Sequence, residues 1–480
     1  EDEPDLPIPY GRGDQSPVSC ATLLLGSTTL IGLLVVVMMM YADDGSQGAN
    51  TQASPTTSAR PVYIDLPPSS IYENVEPPST EAVFTRRSLS DFVHIPPTHS
   101  RVQIHARHLT SPSGEAITMD WSAARVFIEF EGSDVVLAHL QPANLSAYSK
   151  NESFWCPHYM TLYKRLHAAN QPANCPVWFD VWEAYVDGNH TATLFLNTTQ
   201  TTHALGVGLD PSKKHFVTLF KRTGPKKGGT VFRGFALRKG ASVTKMLPRY
   251  LPSRRIEILG ASEENGECAL GTPKDFYAST LESSVVSYGA LLGGYFGADY
   301  RYSALGSAGL VLAAADKPDS APYLDFYKRT VYSLPHHPWN FSDFEADVVL
   351  IANGITDWSN TKSPDKFMPI FADAFAKLLH FVRTKYPRAW IVLVPWKSIQ
   401  IRGLTEGMLA YRSKVAPNDT KIVMQVLDQS KWPLSYRGCA HHPGPLGHLD
   451  YANQLVPVIA QLTGWQPVVS KAPSASSHAE

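Results

Sequence analysis

The sequence predicts an α/β domain on a parallel sheet, preceded by an all-β sandwich of jelly-roll type, with an N-terminal transmembrane helix ahead of both. Three observations predict it. Residues 15–42 carry no charged side chain. Residues 98–250 break into short strand-like runs with turn signals between them and no long helical stripe. Beyond residue 251, near-continuously apolar runs alternate with stretches whose apolar residues recur every three or four positions, the pattern of buried parallel strands covered by helices. A chain of 480 residues, 44% hydrophobic and 18% charged, can bury more than one core. Its formal net charge of -1 excludes a nucleic-acid partner, which would call for an excess of Lys and Arg. Lys226-Lys227, between Pro225 and Gly228-Gly229, reads as a solvated loop.

In chain order, residues 1–18 form a short tail, and residues 19–42 form the expected span. Ala21 to Tyr41 is dominated by Leu, Val, Ile and Met, long enough to cross about 30 Å of hydrocarbon. It ends in Met38-Met39-Met40-Tyr41 rather than at a small-residue cleavage site, so an uncleaved signal-anchor is expected. Downstream stand six N-x-Ser/Thr sequons, at Asn144, Asn151, Asn189, Asn197, Asn340 and Asn418. All lie on one side of the span, which predicts glycosylation and a single-pass membrane protein of the secretory pathway. Its body would be luminal or extracellular, in the Golgi or at the cell surface. Five cysteines, Cys20, Cys156, Cys175, Cys268 and Cys439, are too few for a disulfide scaffold and lack the paired spacings of a zinc site. Cys20 falls in the span and is expected to be free.

Residues 43–97, rich in Pro, Ser, Thr and Ala, cannot bury a core and form a flexible stem. The sandwich over 98–250 is carried by runs such as Val126–Gly132, Val135–Leu140, Phe179–Gly188 and Phe216–Thr223. Cys156 and Cys175 bracket a segment within it and are expected to bridge in an oxidising lumen. The α/β domain over 251–466 has strand candidates at 255–259, 347–352, 390–394 and 421–427. One helical face is expected from Phe367, Ile370, Phe371, Ala374, Phe375, Leu378 and Leu379, another from Ala452, Leu455, Val456, Ile459 and Leu462. Residues 467–480 form a disordered tail.

A site in such a domain belongs at the carboxyl ends of the strands. Ser262 follows the first strand after Gly260, where an exposed nucleophile would stand, although a turn or N-cap serine has the same appearance. Asn353-Gly354-Ile355-Thr356-Asp357-Trp358 follows another strand, and Gly438-Cys439-Ala440-His441-His442-Pro443 precedes the last helix. The order and spacing resemble the SGNH hydrolases, which carry Gly-Asp-Ser, a glycine loop, Gly-x-Asn-Asp and a histidine before a final helix. More closely, residues 98–465 resemble the family-two carbohydrate esterases, acetyl esterases of the acetyl xylan esterase type with a jelly-roll domain before the SGNH domain. The resemblance rests on Phe130-Glu131-Gly132, Tyr185-Val186-Asp187-Gly188, Phe220-Lys221-Arg222-Thr223, Arg255-Ile256-Glu257, Tyr288-Gly289-Ala290-Leu291-Leu292, Asp347-Val348-Val349-Leu350-Ile351 and Gly438-Cys439 with His442-Pro443.

This resemblance implies a flavodoxin-like SGNH domain and a serine esterase that removes acetyl groups from an oligo- or polysaccharide without metal or other cofactor. Ser262 would be the nucleophile and His442 the base. The oxyanion would be held by the Ser262 amide, a glycine amide of Ser303-Ala304-Leu305-Gly306-Ser307-Ala308-Gly309, assigned to Gly309, and Thr356. Three positions depart from the pattern: Ala261 replaces the Asp of Gly-Asp-Ser, Thr356 replaces the oxyanion Asn, and Ala440 stands where a carboxylate would precede His442. A degenerate relative that binds glycans without turnover is the alternative. Convergence of Ser262 and His442 would bring Cys268 to Cys439, expected to form a disulfide. A zinc reading of His441, His442 and His448 lacks a carboxylate or cysteine cluster at ligand spacing, which assigns His441 and His448 to the cleft wall or a helix surface.

Overall fold

The computed structural model describes residues 76–79, 89–143, 180–196, 200–246, 252–275, 277–312 and 322–468. The expected tail, signal-anchor, Cys20, Cys156, Cys175 and the sequons at Asn144, Asn151 and Asn197 lie outside the described residues. Among the described residues, no helix is long and apolar enough to cross a membrane.

Among the described residues, twelve strands build the sandwich: β1 (Phe92–Ile95), β2 (Gln103–His105), β3 (Leu109–Thr110), β4 (Ile117–Met119), β5 (Arg125–Glu131), β6 (Val135–Pro142), β7 (Val181–Val186), β8 (Asn189–Phe195), β9 (Thr202–Val207), β10 (His215–Lys221), β11 (Thr230–Arg238) and β12 (Ser242–Val243). They pair into two sheets, one in the order β3-β4-β11-β6-β9 with β1 beside β11, the other β12-β5-β10-β7-β8 with β2 beside β5. Alternate residues fill the space between the sheets: Val126, Ile128 and Phe130 of β5, Val136, Ala138 and Leu140 of β6, Val217 and Leu219 of β10. The sandwich begins at β1, upstream of the expected start at 98.

The second layer is a five-stranded sheet of β13 (Arg254–Gly260), β14 (Ala298–Ala304), β15 (Val348–Ile351), β16 (Trp390–Leu393) and β17 (Ile422–Met424), in the order β14-β13-β15-β16-β17. Every pairing is parallel, and the order is that of a flavodoxin-like doubly wound sheet. Among the described residues, six α-helices accompany it: α1 (Tyr288–Phe296), α2 (Tyr323–Tyr327), α3 (Ile355–Asn360), α4 (Pro364–Lys385), α5 (Ser398–Lys414) and α6 (Pro445–Thr463). Phe371, Phe375, Leu378 and Leu379 of α4 pack beneath one side of the sheet, and Ala452, Leu455 and Ile459 of α6 beneath the other. Ile370, expected on the buried face of α4, is instead 55% exposed.

Strand β14 escapes a reading based on apolar runs because Asp299 and Arg301 interrupt it. Asp299 is nevertheless buried, 2.6 Å from the Arg125 guanidinium and 2.9 Å from His105 Nδ1. Burial alone would raise its carboxyl, but the His105 bond and the Arg125 charge outweigh that and hold it well below the usual carboxylate range. Arg125 and His105 come from the sandwich, so this pair joins the layers. Arg107 does the same, meeting Glu257 of β13 at 2.7 Å.

The Phe220-Lys221-Arg222-Thr223 run serves the same junction. Lys221 and Arg222 are fully buried, Lys221 against Asp180 at 2.7 Å. Arg222 faces Glu183 at 3.4 Å and donates through Nε to the Glu282 carbonyl at 2.7 Å. Lys226-Lys227 corrects the solvated-loop reading. Lys227, with its side chain 8% exposed, approaches Glu282 at 3.7 Å, and Lys226 donates to the Gly306 carbonyl. These ammonium groups are drawn in by carboxylate and carbonyl acceptors of the α/β layer, which a count along the chain cannot foresee.

Candidate functional site

The nucleophile candidate sits where β13 runs out at the carboxyl edge of the sheet. A side chain on Gly260 would stand 2.0 Å from Glu264 Oε2, so glycine is required for the turn to fold back on itself. Buried Glu264 accepts from the Ala261 amide at 2.7 Å and from the Tyr288 hydroxyl at 3.0 Å. Burial, then the Glu263 charge, pushes its carboxyl up to about 8. Ala261 is itself buried, so an internal carboxyl group fastens the backbone at this departure from the Gly-Asp-Ser pattern. Ser262 is half-buried. Its hydroxyl donates to Glu263 Oε2 at 3.0 Å, and its amide donates to no partner among the described residues.

The histidine loop is bound to the serine turn by covalent and backbone contacts. Cys268 and Cys439 form a disulfide with Cα atoms 4.9 Å apart, and the Cys439 amide donates to the Cys268 carbonyl at 3.3 Å. Gly438 permits this approach, since a side chain there would meet the Cys268 carbonyl oxygen at 2.1 Å. Ala440 and His441 then take left-handed backbone angles, φ 49° and 63°, which non-glycine residues adopt at a cost of about 1–2 kcal/mol each. The consequence is that the Ala440 carbonyl faces the His442 ring, with Nδ1 at 3.1 Å. A carbonyl only accepts, so the Nδ1 proton is held there and the lone pair lies on Nε2. The main chain at Ala440 thus orients the imidazole where a carboxylate is missing. No hydrogen bond joins Ser262 to His442 among the described residues; the serine hydroxyl donates to Glu263 instead.

The glycine loop is set by Asp357. Its carboxylate accepts from the amides of Leu310, Val311 and Leu312 at 2.8, 2.8 and 2.9 Å, while burial raises its pKa against those bonds. A side chain on Gly309 would meet Leu312 O at 2.2 Å and Asp357 Oδ2 at 2.5 Å. The Gly309 amide donates to no partner among the described residues. Thr356, one residue before Asp357, is buried in the first turn of α3. Backbone contacts tie this strand end to the serine turn: Leu305 donates to the Gly260 carbonyl at 3.1 Å, and Ala352 to Leu259 at 2.9 Å.

Of the other histidines, His441 is exposed. His448 corrects its assignment to the cleft wall or a helix surface: it is fully buried and stacks on Tyr288 at 6.2 Å. Both of its ring nitrogens lack a partner among the described residues, and burial, aided by the neighbouring His442, pushes it down to about 3. Among the described residues no group of three or more His, Cys, Asp or Glu could hold a metal ion. Asn189, Asn340 and Asn418, the sequon asparagines within the described residues, are all exposed. Sequence reasoning assigned no role to Glu263, Glu264 or Asp357. The available signal was two acidic residues directly after the serine and a third directly after Thr356.

No protein-family model matches the sequence, and no curated protein matches it. Comparison with solved structures finds the fold. A family two carbohydrate esterase from Clostridium thermocellum, in complex with cellohexaose, is 22% identical, with a TM-score of 0.61 over 76% of this chain and 99% of that one. A family two carbohydrate esterase from Cellvibrio japonicus is 18% identical, with a TM-score of 0.62 over 78% and 98%. The acetyl xylan esterase Est2A from Butyrivibrio proteoclasticus is 16% identical, with a TM-score of 0.62 over 78% and 99%. The chain is similar to these esterases across both layers, and at such identities the likeness is one of fold.

Proposed function

We propose that this chain is a carbohydrate esterase that removes acetyl groups from a glycan through Ser262 and His442. The carrying observation is the pair of uncommitted amides, at Ser262 and Gly309, in loops at the carboxyl edge of a sheet whose fold is that of carbohydrate esterases. Ser262 Oγ forms the bond to the acetyl carbonyl carbon while His442 Nε2 takes its proton. The charge that develops on the carbonyl oxygen is met by the two amides and the Thr356 hydroxyl. Collapse breaks the bond to the sugar oxygen, which receives the proton from His442. Water, deprotonated by the same nitrogen, then releases acetate and restores the serine.

Before attack, the Ser262 hydroxyl must rotate away from Glu263 toward the imidazole. That hydrogen bond is also the observation that favours the second reading, a glycan-binding protein whose serine is held out of use. Hydrolysis of an acetylated oligosaccharide separates the two. Ser262→Ala and His442→Ala should each remove most of the activity with the fold intact, and their double variant should lose little more, because the two residues act as a unit. A folded wild type that leaves a panel of acetylated sugars untouched overturns the esterase in favour of the binder. The charge-free run over 19–42 and the exposed sequon asparagines support a membrane-anchored, glycosylated body in the secretory pathway. A change in mobility after enzymatic N-glycan removal tests that topology.

A further inference from the structure

The sandwich carries a second polar groove that the proposed chemistry does not use. On β6 the residues alternate: Val136, Ala138 and Leu140 enter the core, and His139 and Gln141 line a cavity of about 610 Å³ on the outer face, with His94 of β1 and Arg233 of β11. The side chains that join the sandwich to the α/β layer, His105, Arg125 and Arg222, belong to β2, β5 and the residue after β10, which lie in or follow the other sheet. The groove therefore opens on the far side of the sandwich from the Ser262 turn.

Its construction is specific at Arg233. The pairing of β11 with β6 shifts there, Phe232 facing Leu140 and Gly234 facing His139, so Arg233 is the extra residue of a β-bulge. Gly234 makes the bulge possible: it has φ 113°, and a side chain on it would stand 2.1 Å from the Ile95 carbonyl oxygen. The bulge puts an exposed guanidinium on the groove that has no ion pair among the described residues. The His139 ring lies 5.6 Å from that of His94, with Nδ1 fixed 3.0 Å from Thr202 Oγ1 and Nε2 left for a ligand. Burial, then the nearby His94 and His203, pushes His139 down to about 4, so its ring is neutral near pH 7 and can pair with a hydroxyl.

One guanidinium, one exposed carboxylate at Glu115 that can accept from hydroxyls, a carboxamide and a pair of imidazoles on an open sheet face do not suit a lipid or an apolar peptide, which would need a hydrophobic floor. They suit a chain of hydroxyls bearing a carboxylate, which the guanidinium can hold through two parallel hydrogen bonds. We infer that this outer face of the sandwich is a second saccharide site, selective for acidic, uronate-containing glycans.

The test uses the full chain as Ser262→Ala, so that no turnover intervenes, titrated calorimetrically with tetragalacturonic acid and with neutral cellohexaose. Tetragalacturonic acid should bind, and Arg233→Ala should weaken it at least about tenfold, as expected for loss of a charge-assisted contact. Gln141→Ala, a second change in the same groove at a half-buried position, should weaken it severalfold. In protein that retains Ser262, neither change should alter hydrolysis of a small acetyl ester, so failure here is distinguishable from failure of the esterase reading. Absence of binding at millimolar tetragalacturonic acid, binding indifferent to Arg233→Ala, or equal affinity for cellohexaose would each overturn the inference.

Discussion

Replacing both Cys268 and Cys439 by serine removes one covalent bond and should change two observables. The bridge spans a sequence separation of 171 residues, a loop holding four of the five strands of the parallel sheet, with β13 preceding it. Chain-entropy arithmetic for a loop of that length gives about 17 cal/mol/K, or roughly 5 kcal/mol at 25 °C. Residual structure in the unfolded chain lowers what is realised, so a loss of about 2–5 kcal/mol is expected. At roughly 2 °C per kcal/mol for a protein of this size, Tm should fall by about 4–10 °C. The second observable is turnover. Cys439 lies three residues before His442, and the left-handed pair at Ala440 and His441 needs its surroundings to hold it. Freed from the bridge, the loop should orient the imidazole less often, lowering kcat more than it raises KM. Differential scanning calorimetry and acetyl ester kinetics, on the double variant and on reduced wild type, provide the measurements. A double variant within about 0.5 kcal/mol of wild type with unchanged kcat would refute both the entropic argument and the positioning argument.

Glu263→Ala should release the serine hydroxyl. For a half-buried bond to a carboxylate, about 1 kcal/mol is at stake, so kcat/KM should rise about fivefold, whereas a fall of tenfold or more would identify Glu263 as the operating base. Glu264 sets a pH dependence of stability. Its folded pKa is raised from 4.5 to about 8, so the native state holds a proton that the unfolded state has lost. The associated stability is therefore complete below about pH 4.5 and declines as pH rises towards 8. Glu264→Gln should flatten that decline in denaturant melts between pH 5 and 8, and parallel curves for the two proteins would exclude Glu264 as its source. Thr356→Asn, which supplies a longer donor, should raise turnover by up to about 10²- to 10³-fold if the hydroxyl contributes nothing. An unchanged kcat would mean that the side chain at 356 does not reach the oxyanion.

The parts of the fold that follow from alternation and from apolar runs were legible. Strands β5, β6, β7, β10, β13, β15 and β16 all lie where such runs occur, because burial on one or both faces writes itself into consecutive residues. Strand β14 was not legible, since its Asp299 is buried by, and its half-buried Arg301 lies over, partners far away in sequence. The same reason hid Lys226 and Lys227, whose acceptors are Gly306 and Glu282. Ser262, Gly309 and Thr356 could be named from motif order, but the grip of Asp357 on the glycine loop could not, because three amides converge on one carboxylate only after the chain folds. His448 was misplaced for a simpler reason: a polar residue early in a helix looks like surface until Tyr288 is known to cover it.

The buried Arg222 has a consequence for how the protein is made. The sandwich leaves the ribosome first and can fold before the second layer exists. At that stage Arg222 has Glu183 beside it, but its Nε and Nη2 have yet to meet the carbonyls of Glu282 and Thr280. The nascent sandwich therefore displays a charged tab that the short turn Ser279–Leu281 and its flank come to cover. Capture of that turn would draw in the segment leading from the serine turn to α1, so that the first half of the chain acts as a template on which the α/β layer is assembled.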